Sequence, residues 1–193
     1  MLAIAEYRYL FFAAICLWAI PELIGTFTQN GVADGTRRDR GSYFVVQVTR
    51  VLAIGLGTLL SFRNLAPIFF SQVWIGYWIG LLLMVGGVAF RWYAIRCLGR
   101  YFTRVVFTQP DQQVVKTGPY RWIRHPSYTG ALLTLLGYGL VLNDWIGLLA
   151  LLAISFAGFW YRVRVEERAL VEGLGQPYMA YMRQTRRFIP FLM

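Results

Sequence analysis

The chain has 193 residues, of which 58% are hydrophobic, 17% aromatic and only 15% charged. A soluble domain carries about 25% charged residues, so this composition excludes a globular protein with an ordinary polar surface. The net charge of +10 would favour nucleic-acid binding in a soluble chain. In a membrane protein, however, the same cations are expected beside the apolar segments. We therefore predict an integral membrane protein with no nucleic-acid partner.

Five apolar runs follow in chain order, at residues 7–27, 43–62, 73–90, 130–142 and 145–161. A helix needs about 20 mostly apolar residues to cross a bilayer, with a range of roughly 17–25, and all but the fourth run meet this length. Only Asn143 and Asp144 separate the last two runs, which are together too long for one crossing. This break predicts a helical hairpin. The GxxxG spacing at Gly76 and Gly80 predicts close helix packing in the third run.

The cations between the runs set the predicted orientation. If five helices cross in turn, residues 28–42, residues 91–124 and the chain after residue 161 share one side, which then holds sixteen of the nineteen Lys and Arg residues. Because cytoplasmic segments of membrane proteins are rich in these residues, we expect this side and the C-terminus to be cytoplasmic. The predicted fold is an all-α integral membrane protein with five transmembrane helices, the last two forming a hairpin, and a cytosolic region.

Two polar clusters flank the predicted hairpin. The first, RHPSYTG at 124–130, contains the only histidine, and Pro126 suits the first turn of a helix. From the turn, both His125 and Glu166 lie roughly 27–33 Å back along the two helical arms, so the second cluster, YRVRVEERALVEGLG, is expected beside the first. Arg162 and Glu166 are spaced i, i+4 and share a face, while Glu167 lies about 100° around the helix. The alternative is simple interfacial anchoring and ion pairing.

The tail has helical spacing of apolar residues. In QPYMAYMRQTRRFIP, Tyr178, Tyr181 and Met182 form one face beside several arginines, which predicts an amphipathic helix at the membrane interface. Glu22 and Arg50 lie within apolar runs and are candidates for buried polar contacts without an assigned role. A single histidine and two widely separated cysteines argue against a metal site. No strand precedes a GxGxxG, so a Rossmann nucleotide pocket is not expected.

Residues 114–130 (VVKTGPYRWIRHPSYTG) and 162–190 (RVRVEERALVEGLGQPYMAYMRQTRRFIP) resemble the isoprenylcysteine carboxyl methyltransferase family. More broadly, they are similar to the membrane methyltransferases that include phospholipid N-methyltransferases. The pattern G-x-Y-x-x-x-R-H-P-x-Y-x-G is complete, and so is E-E-x-x-L-x-x-x-x-G-x-x-Y-x-x-Y followed by R-F-I-P. The first three helices resemble the family only in hydropathy.

The resemblance implies methyl transfer from S-adenosylmethionine to the carboxylate of a lipidated substrate such as a C-terminal isoprenylcysteine, at the cytosolic membrane face, with S-adenosylhomocysteine as product. The chain would then comprise three transmembrane helices (1–90), a cytosolic connector with a cofactor-binding segment (91–129), the transmembrane hairpin (130–161) and a cytosolic catalytic helix with its tail (162–193). Arg162 would face the substrate. The cofactor pocket would be lined by Val114, Val115, Tyr120, His125, Pro126, Ser127, Tyr128 and Glu166.

The residue chemistry suits these implied roles. A carboxylate such as Glu166 and the faces of tyrosine rings favour a sulfonium cation. An acceptor carboxylate has a pKa of ~4, so at neutral pH it needs orientation by the Arg162 guanidinium rather than a base. His125 is therefore predicted to bind a ligand rather than to accept a proton.

Two other functions remain open on the sequence. A lipid amine N-methyltransferase would require its acceptor to lose a proton before attack, which Arg162 disfavours. A non-enzymatic membrane binding protein or small transporter would carry polar residues near the midplane of several helices, whereas the polar clusters of this chain are predicted at one face.

Overall fold

The computed structural model describes residues 9–20, 36–37, 39, 41–63, 65–69, 71–103, 107–108 and 112–188, most of them helical. The helices are α1 (Tyr9–Ile20), α2 (Ser42–Ser61), α3 (Val73–Leu98), α4 (Pro126–Leu142), α5 (Trp145–Leu174) and α6 (Gln176–Gln184). Short 3-10 turns cover Gly99–Tyr101 and Gly118–Arg121, and β1 (Thr36–Arg37) pairs antiparallel with β2 (Phe107–Thr108). Within the described residues, the all-α prediction therefore needs one correction, this two-residue ladder.

Among the described residues, three helices are long and apolar enough to cross a membrane: α2, α5, and α3 together with the 3-10 turn that continues it. Helix α4 and the described part of α1 are shorter apolar helices. Large apolar side chains such as Phe44, Leu59, Leu82 and Leu149 are exposed on the outer faces of the long helices, where they suit lipid rather than water. The prediction of an integral membrane protein is confirmed. Part of the first apolar run, including Glu22, lies outside the described residues.

Glycines bring α3 and α4 into close contact. A Cβ atom placed on Gly137 would lie 2.4 Å from the carbonyl oxygen of Gly80 and 2.6 Å from the backbone nitrogen of Met84. Such distances leave no space for a methyl group, so the two helix backbones touch directly. Gly76, the other member of the GxxxG spacing, faces the ring of Phe69 instead. The prediction that this spacing marks helix packing is therefore correct for Gly80 and wrong for Gly76, which packs against the α2–α3 connector.

The predicted hairpin is present, and it turns at Asn143 and Asp144. Asn143 is left-handed, with φ 58°, a conformation that asparagine tolerates at the end of a helix. Asp144 caps α5 by accepting from the backbone nitrogen of Gly147 at 2.8 Å, and its other oxygen accepts from Ala66 at 3.0 Å. The Asn143 side chain hydrogen-bonds both backbone groups of Phe69. These bonds fasten the α2–α3 connector to the hairpin turn.

The helices extend past the apolar runs that predicted them. Helix α3 continues to Leu98, α4 begins at Pro126, and α5 continues through RVRVEERALVEGL to Leu174. The residues added to α5 are mostly good helix formers, so backbone hydrogen bonding continues although hydropathy falls. The second arm of the hairpin and the segment after residue 161 are thus one helix. Gly175, at φ 60°, ends α5, and α6 follows directly.

Candidate active site

The two polar clusters meet at one end of the hairpin, as predicted. His125 is the N-cap of α4, and Pro126 is the first residue of that helix. Nδ1 of His125 lies 3.7 Å from Oε2 of Glu166, and Nε2 lies 3.5 Å from Oε1 of Glu167. The hydroxyl of Tyr128 donates to Oε2 of Glu166 at 3.1 Å. The start of α4 and the C-terminal half of α5 therefore form one site.

Glu167 connects the segments around this site. Its buried carboxylate accepts from Nε of Arg124 at 2.9 Å and from Nη2 of Arg187 at 2.8 Å. Arg124 also donates to the carbonyl oxygens of Met182 and Thr185. Glu167 therefore fastens the chain after α6 to the chain before α4. Its neighbour Glu166 lies on a different face of α5, at the edge of a cavity.

This cavity has a volume of about 150 Å³ and is partly open to solvent. One wall is apolar, with Trp18 of α1, Val46 of α2, Leu135 of α4 and Phe159 of α5. Pro126 is fully buried where it starts α4 and does not line the cavity. The other eight predicted site residues all line it: Val114, Val115, Tyr120, His125, Ser127, Tyr128, Arg162 and Glu166.

The polar end of the cavity contains tyrosine side chains that stay neutral at physiological pH, and it contains His125. Burial raises the pKa of Tyr181 to about 12, and burial together with nearby carboxylates raises the pKa of Tyr120 and of Tyr178. These side chains are therefore neutral aromatic surfaces at physiological pH. Nε2 of His125 is buried and faces Oε1 of Glu167 at 3.5 Å, whereas Nδ1 faces Glu166. Together with the Glu166 carboxylate, the tyrosine rings can hold a ligand that is both cationic and polar.

Arg162 lines the cavity and also hydrogen-bonds two residues that lie outside the cavity lining. It is only 3% exposed, and its Nη1 donates to Oδ1 of Asp39 and to the hydroxyl of Ser42. Its Nε donates to the hydroxyl of Tyr128 at 3.3 Å. The sequence predicted the location of Arg162 on the Glu166 side of α5 but not its partner Asp39.

The sequence analysis did not assign Arg50 or Arg91 to the site. Both line the cavity, and Nη1 of Arg91 donates to the carbonyl oxygen of Ser127 at 3.0 Å. A signal was present, because an arginine inside or at the end of an apolar run is expensive unless it faces a polar cavity. Arg50 was noted for this reason, whereas Arg91 was counted only as a cytoplasmic cation.

The fold and this cavity define a helical integral membrane protein whose two C-terminal motifs line a single mixed polar and apolar site. The model of the isoprenylcysteine carboxyl methyltransferase family matches residues 78–172, a range that begins in α3 and ends in α5. The resemblance to this family that the two motifs predicted is confirmed.

Individual relatives agree with the family match. The chain is 34% identical over 116 residues to the protein-S-isoprenylcysteine O-methyltransferase of Saccharomyces cerevisiae, covering 59% of this chain and 48% of the yeast protein. It is 29% identical over 130 residues to protein-S-isoprenylcysteine O-methyltransferase B of Arabidopsis thaliana, covering 65% of this chain and 66% of that protein. The chain therefore spans between about half and two thirds of these relatives.

The fold is similar to that of a solved structure. The eukaryotic intramembrane Ras methyltransferase ICMT matches with a TM-score of 0.62 and 23% sequence identity, over 95% of this chain and 67% of that chain. At this identity the match shows a common helical architecture.

Proposed function

We propose that this protein transfers a methyl group from S-adenosylmethionine to the carboxylate of a lipidated substrate, such as a C-terminal isoprenylcysteine, at the cytosolic membrane face. The observation that carries this proposal is the single cavity that both motifs line. A polar end rich in tyrosines and an apolar wall formed by four helices suit a reaction between a polar donor and a lipid-linked acceptor. The names of the relatives support the same acceptor class.

The residues at the polar end fit the donor. Glu166 and the rings of Tyr120 and Tyr128 would favour its sulfonium charge. The start of α4, with His125 at its N-cap, would take the polar groups of the donor, beside Val114, Val115 and Ser127. When bound, S-adenosylmethionine supplies an electrophilic methyl group, and S-adenosylhomocysteine is the product.

The acceptor end requires orientation rather than a base. A carboxylate is already ionised at neutral pH, and a guanidinium orients it through its charge and its hydrogen bonds. We assign this role to Arg162, which lines the cavity next to Tyr128. The lipid tail would enter from the bilayer along the apolar wall, and the proposed topology has five crossings with the C-terminus in the cytoplasm.

A lipid amine N-methyltransferase is the main alternative. Its acceptor is a cation at neutral pH, and Arg50, Arg91 and Arg162 all line the cavity, so their positive charges oppose such a head group. A non-enzymatic binding protein or transporter is the third possibility. The polar groups of the cavity gather at one end of the hairpin, whereas a transport site would place them near the midplane.

Calorimetric titration of the detergent-purified protein with S-adenosylhomocysteine tests the donor site directly. Binding supports a methyltransferase, and absence of binding favours the third possibility. Turnover is then measured from roughly pH 6 to 8 on a farnesylated cysteine analogue and on phosphatidylethanolamine. A carboxylate acceptor predicts a flat rate on the first substrate, because it is ionised throughout this range. A steep alkaline rise on the second substrate would assign the protein to the N-methyltransferases.

A further inference from the structure

The carboxylate of Asp39 lies behind Arg162 and outside the cavity lining. We propose that Asp39 is a positioning residue that holds the Arg162 guanidinium against Tyr128 and so fixes the acceptor end of the site. This inference rests on the proposed function. It assigns a role to a residue outside the segment, 78–172, that the family model matches.

Asp39 is itself firmly held. Its Oδ1 accepts from Arg162 Nη1 and, at 3.0 Å, from the hydroxyl of Ser42, and its Oδ2 accepts from the backbone nitrogen of Tyr43 at 3.2 Å. Ser42 also contacts Arg162 directly, at 2.6 Å. Asp39 and Arg162 are each 3% exposed, and Ser42 is fully buried. The position of the guanidinium is therefore set by the start of α2 as well as by its own helix.

The same guanidinium reaches the donor end of the cavity. Nε of Arg162 donates to the hydroxyl of Tyr128, which in turn donates to Glu166 at 3.1 Å. A continuous chain of hydrogen bonds thus runs from Asp39 through Arg162 and Tyr128 to Glu166. Such networks hold their members in one arrangement when every member is satisfied. Movement of Arg162 would disturb both ends of the site.

The negative charge of Asp39 should affect kcat and acceptor affinity differently. Its negative charge partly neutralises Arg162, so it opposes an incoming acceptor carboxylate while it positions the group that orients that carboxylate. Replacement by asparagine keeps the size of the side chain and removes the charge. We expect turnover to fall, because a misplacement of about 1 Å can cost on the order of 100-fold. Acceptor affinity should not fall with it, since the cavity becomes more positive.

The test compares wild type with Asp39→Asn in detergent. Donor sites are first counted by titration with S-adenosylhomocysteine, and kcat per donor site and KM are then measured on a farnesylated cysteine analogue. We expect kcat per site to fall about 10-fold to 100-fold, with KM for the acceptor unchanged or lower. A kcat within twofold of wild type, or a KM that rises in parallel, would overturn the proposal. A wild type that binds no S-adenosylhomocysteine refutes the proposed function itself, before any variant is measured.

A double-mutant cycle separates positioning from a general loss of folding. If Asp39 acts only through Arg162, the double variant Asp39→Asn/Arg162→Lys should have nearly the same kcat as whichever single variant has the lower kcat. Multiplicative losses in kcat would show that the two residues act independently and would overturn the proposal. Glu172→Gln, which removes an exposed carboxylate elsewhere on α5, is the control and should leave kcat and KM unchanged.

Ser42→Ala provides a second variant if Asp39→Asn does not fold. It removes only the hydroxyl that bonds both Asp39 and Arg162. Loss of a hydrogen bond worth about 1 kcal/mol predicts a fall in kcat per site of about fivefold, again without a rise in acceptor KM. An unchanged kcat in this variant would contradict the proposal.

Discussion

Glu166 and Glu167 are adjacent in sequence, yet their surroundings differ. Glu167 is 5% exposed and is shared by Arg124 and Arg187, whereas Glu166 is 28% exposed, accepts from Tyr128 and lines the cavity. The 100° step between consecutive helical residues causes this separation. One carboxylate is thereby available to a ligand, and the other holds three chain segments together.

Replacement of Glu166 by glutamine should affect binding and not stability. The variant keeps an oxygen for Tyr128 but loses the charge, so we expect the affinity for S-adenosylmethionine and S-adenosylhomocysteine to weaken by about 1.5–3 kcal/mol, the typical worth of a hydrogen bond to a charged group. Calorimetric titration measures the change, with thermal unfolding as the folding control. Unchanged affinity in a folded variant would remove Glu166 from the donor site.

Replacement of Glu167 by glutamine should have the opposite outcome. Removing one partner of a buried ion pair typically costs about 3–5 kcal/mol, because the remaining charges stay buried. Arg124 would lose its charged partner at 2.9 Å, and Arg187 its partner at 2.8 Å. We expect a clearly lower unfolding midpoint than for Glu166→Gln, measured in the same detergent. Equal midpoints for the two variants would contradict the structural role of Glu167.

The sequence predicted the contact between His125 and Glu166 but not the contact between Asp39 and Arg162. The approach of His125 to Glu166 followed from the helical rise along two arms of similar length. The pair Asp39 and Arg162 is separated by 123 residues, and no periodicity or motif connects the two. The packing of α2 against α5 brings them together, and hydropathy does not specify which helices pack together.

At the scale of the elements, glycine contacts decide how closely the helices pack. Gly137 of α4 faces backbone atoms of α3, whereas Gly86 of α3 has nothing within 4 Å of where a Cβ would lie. Both are helical glycines, so alanine has the same intrinsic effect on helix propensity at each. The difference between the two substitutions therefore isolates interhelical packing.

Gly137→Ala should lower the unfolding midpoint, because overpacking of a close interface typically costs about 1–3 kcal/mol. Gly86→Ala should leave the midpoint unchanged or raise it slightly, since alanine is the better helix former by up to about 1 kcal/mol. Thermal unfolding in detergent compares both with wild type. Equal midpoints for the two variants would mean that α3 and α4 do not pack through their backbones.

Element boundaries were the least predictable part of the fold. Hydropathy ends the last apolar run at residue 161, but α5 has 30 residues and is about 45 Å long at 1.5 Å per residue. The hydrocarbon core is only about 30 Å thick, so the polar end of α5 extends beyond it and carries Arg162, Glu166 and Glu167. The apolar pattern detects the bilayer and not the helix, so it did not show that the last transmembrane helix and the helix carrying the site are one element.

At the scale of the whole molecule, the two ends of the bundle differ in chemistry. The hairpin turn and the α2–α3 connector meet at one end through Asn143 and Asp144. The other end carries the cavity, both motifs and most of the arginines that the structure describes. This distribution supports a cytoplasmic position for the site by the positive-inside rule, although helix packing alone is the same in either orientation.

Cysteine labelling tests this orientation. In a background with Cys16→Ser and Cys97→Ser, single cysteines are introduced at Ser71, an exposed residue of the α2–α3 connector, and at Arg183, an exposed residue of α6. We expect a membrane-impermeant maleimide to label Ser71→Cys in intact cells and Arg183→Cys only after permeabilisation, because α5 is long enough to place the two ends on opposite sides of the bilayer. The cysteine-free background is the control and should remain unlabelled. The reverse pattern would invert the predicted orientation, and labelling of both positions from one side would contradict a hairpin that crosses the membrane.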